Sequence, residues 1–215
     1  MKLIFLLLMA CPLRGAGGPE VDPSDLAYVD PADFDRLSDV EKEVAEARLK
    51  AEFARTQATN ADWEAKRAQA RRDGVEAEMN AAEAELDAAA ANQEPERRAN
   101  AQRRLRDVQG KEREVEAYIA WREAERELAD AQVDVADADV RLAEAELELG
   151  RYSLLRDPDV LDRYDQEAFF TRREEARAKR AEAMARVQDL ERSADATKVR
   201  WERTQATEPA MRPGS

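Results

Sequence analysis

The chain has 215 residues, 39% of them charged and 6% aromatic, with a net charge of -13 and no histidine. That charge excludes nonspecific nucleic-acid binding. The missing imidazole removes the commonest general base and the usual nitrogen ligand of zinc and di-iron sites. Alanine, Glu and Arg recur throughout, and all three are strong helix formers. No alternating run of β-branched residues marks a strand. The profile is that of long helices around a thin core.

The N-terminus comes first. Lys2 precedes an apolar run over residues 3–10. The run is too short to cross a bilayer, which takes about 20 residues, and it reads as a secretory signal over residues 1–10. The only cysteine, Cys11, follows directly. The stretch Leu8-Met9-Ala10-Cys11 resembles the lipobox of bacterial lipoproteins: an aliphatic residue, then a small one, then cysteine. The resemblance implies cleavage before Cys11, lipid attachment to Cys11, and a place in the bacterial cell envelope. Pro12 follows the cysteine where Asp would favour inner-membrane retention, so the resemblance points to the outer membrane, facing the periplasm. A single cysteine permits no intramolecular disulfide.

Residues 11–36 then read as the lipidated cysteine and a flexible acidic tether, rich in proline and carrying Glu20, Asp22, Asp25, Asp30, Asp33 and Asp35. Within it, Tyr28, Val29 and Phe34 are candidates to fold back on the first helix as a hydrophobic staple.

Three long helices are predicted over residues 37–206. The first carries Leu37, Val40, Val44, Ala47, Ala51, Ala54, Ala58, Ala61, Ala65 and Ala68 at alternating spacings of three and four. After Arg72 the stripe resumes with Val75, Met79, Ala82, Leu86 and Ala89. This is a helical seam whose alanine knobs require a close partner. Ser38-Asp39-Val40-Glu41 reads as a capping box at its start, and Asn92 suits its end. Gly74 lies inside and marks a candidate close approach. The second helix starts with Pro95 in its first turn. It carries two stripes, one through Leu128, Ala131, Val135 and Ala138 and one through Ala129, Val133, Ala136 and Val140, which imply two neighbours. The third helix starts at Asp157-Pro158 and shows a late seam through Ala183, Val187, Leu190, Ala194, Thr197, Trp201 and Thr204. Residues 207–215 are expected to be a disordered tail.

Charge sets the expected pairing. Folding about residue 94 places the basic run from Arg97 to Arg113 against Glu76, Glu78, Glu83, Glu85 and Asp87. Folding about residues 153–154 places the acidic run from Glu123 to Asp139 against Arg172, Arg173, Arg177, Lys179 and Arg180. Exposed pairs of this kind contribute about 0 to 1 kcal/mol each, so their role is register. The first fold also sets Trp63 beside Tyr118 and Trp121.

The acidic stripe around Asp130, Asp134, Asp137 and Asp139 reads as a solvated face: a straight helix has no loop to wrap a cation. Paired carboxylates for glycoside chemistry need a cleft. No catalytic residue, metal site or cofactor is expected, and the chain is read as a non-enzyme. Tyr152, Leu155, Tyr164, Phe169 and Phe170, dense for so aromatic-poor a chain, read as a hydrophobic plug closing the bundle, with a patch for a protein partner or the membrane surface as the alternative.

The fold expected from sequence is all-α: an elongated antiparallel coiled coil of three long helices, a hairpin plus a third helix. The expected function is that of a membrane-anchored envelope lipoprotein with a structural, scaffold or accessory-subunit role through that coiled coil. A periplasmic holdase-type chaperone for outer-membrane proteins is the alternative. The expected partners are the membrane, through the lipid anchor, and a protein of the envelope. Self-association is a further option, and nucleic acid is not expected.

Overall fold

The computed structural model describes residues 19–207. Its regular structure there is entirely helical: a 3-10 turn at Pro23–Tyr28, then α1 (Pro31–Ala91), α2 (Pro95–Leu154), α3 (Pro158–Leu161) and α4 (Gln166–Thr207). At 1.5 Å per residue, α1 and α2 are each about 90 Å long and α4 roughly 60 Å. α2 is the shared member, packing against α1 and against α4.

The 3-4 stripe of α1 is the face turned to α2. Ala51, Ala65, Ala68, Ala82 and Ala89 are buried in it, opposed by Ala101, Val108, Ala124, Ala131 and Ala138 of α2. Small side chains on both helices let the backbones approach, and dispersion across many such contacts replaces the missing large residues. Both α2 stripes are buried, one through Ala131, Ala138 and Ala145 and one through Ala129, Ala136 and Leu147. The ladder Arg48–Glu144 (2.8 Å), Arg55–Asp137 (2.6 Å), Lys111–Glu78 (2.8 Å) and Arg104–Glu85 (2.8 Å) shows α2 running back along α1.

The turn between them uses Gln93, whose φ of 57° is left-handed. Asn92 and Gln93 donate their amides to Ala88 and Ala90, which satisfies the last carbonyls of α1. Pro95 then occupies the first turn of α2 without loss, since that amide has no helical partner.

The three-helix antiparallel coiled coil expected from sequence is corrected to a four-helix bundle. The region expected to be one helix from Pro158 is two: Asp157 caps the short α3 through the amide of Asp159 (2.9 Å), and Asp165 caps α4 through that of Glu167 (3.0 Å). Side-chain acceptors satisfy the orphan amides at both starts, so the chain restarts after α3 instead of continuing it. The detour shifts α4 along α2. Asp139 pairs with Arg180 and Asp134 with Arg186 (3.0 Å), where a fold about residues 153–154 would have set Asp139 opposite residue 168. The central aromatic contact changes with it. Trp121 stacks on Trp201 of α4 with centroids 4.5 Å apart, while Trp63 is 63% exposed.

Three local expectations also change. Helix α1 begins at Pro31, so Ser38 and Glu41 lie inside it and form no capping box. Where a flexible tether was expected through residue 36, the chain is helical from Pro23. Gly74 marks no close approach: a Cβ there would meet nothing within 4 Å. The expected signal peptide, Cys11 and nearly all of the expected tail lie outside the described residues.

Candidate functional site

Apart from the Trp121–Trp201 stack, two surfaces gather large apolar residues; Met184 and Val199 on α4 are also exposed, at 40% and 42%. The first closes the bundle at the end where α2 leads into α3 and α4. Val21, Leu26, Leu155 and Phe169 form a buried cluster, with Tyr152 and Tyr164 packed against it. Phe169 is 1% exposed and stacks on Tyr152 at 5.0 Å. A second cluster beside it joins Leu37, Val44, Leu147 and Leu154, and Val29 touches both. Of the residues expected to staple the N-terminal segment, Val29 does so; the side chains of Tyr28 and Phe34 lie outside the described set.

Polar groups lock this end. Glu148, a buried carboxylate, accepts the Val21 amide (2.9 Å) and the Arg151 guanidinium (2.8 Å). A buried carboxylate is tolerable when charge-paired and hydrogen-bonded in this way. The Tyr164 hydroxyl donates to Asp25 (2.6 Å) and accepts the Asp22 amide (2.9 Å). Burial first, and the Asp25 hydrogen bond second, push the Tyr164 phenol above its ordinary value. Arg163 adds an ion pair to Asp25 (2.7 Å), and Arg172 donates to the Pro19 carbonyl (2.9 Å). The predicted partner-binding residues Tyr152, Leu155, Tyr164 and Phe169 are thus brought together, and the chain's own residues 19–29 cover them. Phe170 stays 40% exposed beneath the Arg173 guanidinium.

The second surface is the outer face of α1. Leu49, Phe53 and Trp63 are 68%, 64% and 63% exposed. At 100° per residue they fall within an arc of about 80°, roughly 180° from the seam through Ala51, Ala58 and Ala65. Helix α4 packs on α2 and leaves this stripe uncovered. No sequence expectation named Leu49 or Phe53, and Trp63 was expected to pack beside Tyr118 and Trp121. Their signal was present as a second apolar stripe on α1, but the longer alanine seam masked it.

Cavities are small. A groove of about 160 Å³ between α1 and α2 is lined by Arg72, Val75, Glu112 and Val115, and one of about 210 Å³ lies between α2 and the end of α4. Both fall below the roughly 300 Å³ that a small-molecule pocket occupies. Among the described residues, no group of three His, Cys, Asp or Glu side chains is placed to hold a metal ion. No helix among them is long and apolar enough to cross a membrane.

Neither a protein-family model, nor a curated protein, nor a solved structure matches the chain. The function expected from sequence is corrected accordingly. Its premise, a three-helix coiled coil serving as an anchored structural element or a chaperone arm, gives way to a four-helix bundle domain without a membrane-spanning helix among the described residues. Of the expected descriptors, the helical bundle is the one that fits.

Proposed function

We propose that this chain is a protein-binding helical bundle that receives its partner along the outer face of α1. One observation carries the reading: Leu49, Phe53 and Trp63 line one exposed stripe directly opposite the buried seam. Single exposed apolar residues are ordinary, but three large ones aligned on one face of a helix mark an interaction site. Trp and Phe are also residues that supply contact energy at the centres of interfaces. The clamped end offers less, because the chain's own N-terminal segment fills it.

The test is a photo-crosslinking amino acid placed at position 63 of the full chain, in the cells that make it. Position 141, exposed on α2, is the control. The expected result is a discrete adduct from position 63, absent from position 141 and lost when Leu49 and Phe53 are both changed to Ser. No adduct, or equal adducts from both positions, overturns the reading.

A further inference from the structure

We infer that the occupant of the α1 outer face is a second copy of this chain, docked antiparallel about a two-fold axis beside residue 58. The inference rests on the reading that this face binds protein, and names its partner. The stripe Leu49, Phe53, Thr56, Asn60, Trp63, Arg67 repeats at spacings of four and three, the period at which one helix meets another. An antiparallel pair that sets Phe53 against Trp63 of the second copy also sets Thr56 against Asn60, and Leu49 against the aliphatic stem of Arg67. The two-fold axis makes each of these contacts twice, so two aromatic layers enclose a polar centre.

The flanking charges select this arrangement. In the stated register Lys50 faces Glu64 of the second copy, and Glu52 faces Lys66. Both pairs are opposite in sign, and both occur twice. Lys50 and Glu52 form no ion pair among the described residues, whereas Lys66 pairs with Asp62 (2.6 Å), and Glu64 pairs with Arg67 (3.3 Å) and, more loosely, with the half-buried Arg122 of α2 (3.9 Å). Such local pairs contribute little and exchange readily. The competing arrangements are frustrated. Sliding the antiparallel pair by one heptad brings Glu43 against Glu64. A parallel pair in register stacks Arg67 on Arg67 and brings Lys66 to Arg71. Like charges placed across a helix interface disfavour that pairing, and charge at these flanking positions sets helix orientation.

The experiment uses single cysteines in the full chain carrying Cys11→Ser. Thr59 lies beside the axis and faces its own counterpart, and it is exposed. Position 49 lies nine residues from the axis, so two copies of it are about 27 Å apart. Under mild oxidation T59C is expected to give a disulfide-linked dimer and L49C is not. Sedimentation equilibrium is expected to show a reversible dimer. Lys50→Glu should weaken it by about tenfold, and adding Glu64→Lys should restore it. Since Trp63 is exposed, Trp63→Asp should give a folded monomer. Equal cross-linking of T59C and L49C, or charge reversal at position 50 that Glu64→Lys fails to rescue, overturns the antiparallel register. A chain that stays monomeric at hundreds of micromolar overturns self-association. If position 63 then still cross-links to a different protein, the binding face stands and only its assigned occupant falls. If it cross-links to nothing, both fall.

Discussion

Trp201 of α4 lies flat on Trp121 of α2, ring planes 16° apart and centroids 4.5 Å apart, with Tyr118 tilted against the stack at 5.4 Å from Trp201. The Arg122 guanidinium sits 4.2 Å from the Trp121 ring and 5.2 Å from that of Tyr118. This stack is the aromatic contact between α2 and the last turns of α4; the other seam residues of that half are Val187, Leu190, Ala194, Thr197 and Thr204. Trp201→Ala is therefore expected to cost about 2 kcal/mol and to free the last turns of α4. Hydrogen exchange should show residues 194–207 losing protection while α1 keeps its own. Trp201→Phe should lose less than half as much.

Phe169 joins the N-terminal segment to the bundle, since Val21 and Leu26 pack against it. Phe169→Ala should cost about 3–5 kcal/mol, the range for emptying a buried aromatic site. It should also expose residues 21–29 to a protease that cuts beside aspartate, at Asp22 and Asp25. Trp63→Ala, in contrast, should change the stability of the isolated chain by less than about 0.5 kcal/mol, because the residue is mostly exposed. Urea unfolding of the two variants checks both statements.

The two interior glycines should respond differently to alanine. At Gly74 a Cβ meets nothing within 4 Å, so Gly74→Ala should stabilise by about 1 kcal/mol, the difference in helix propensity. At Gly150 the Cβ would stand 3.1 Å from Leu37 Cδ2, a residue of the buried second cluster. There the crowding offsets the gain, and Gly150→Ala should raise the melting temperature less than Gly74→Ala.

Tyr164 couples the clamped end to pH. Its folded-state phenol titrates above the ordinary 10.0, through burial first and the hydrogen bond to Asp25 second. Below pH 10.0 both the folded and unfolded phenols hold the proton, and the contribution to stability is complete. As pH rises past that value the unfolded phenol ionises first, so the contribution is lost as pH approaches the folded value. Tyr164→Phe should cost about 1 kcal/mol near neutral pH and flatten this alkaline slope. Denaturant titrations between pH 8 and pH 11 measure it.

The helical class, the turn before Pro95 and the start at Asp157-Pro158 were legible in the sequence, because local chemistry decides them: helix formers, a proline in the first turn, a side-chain cap. So was the pairing of α1 with α2. A turn of three residues leaves almost no freedom of register, and Arg104 and Lys111 meet Glu85 and Glu78 from the expected set. The two stripes of α2 announced two neighbours. What the tertiary structure alone decided lies beyond the second turn. There, eleven residues between α2 and α4 form a helix and two caps, and their path sets which residue of α4 meets which residue of α2. Nothing local encodes that offset, so Trp201 took the place that spacing assigned to Trp63. The staple at Val29 was legible, but the docking of residues 19–26 was not, for the same reason. Asp22 and Asp25 look like solvated acid until Tyr164, 139 residues further along, donates to one of them. Periodicity determines which face of a helix is apolar; only the packed structure determines which of those faces is left uncovered.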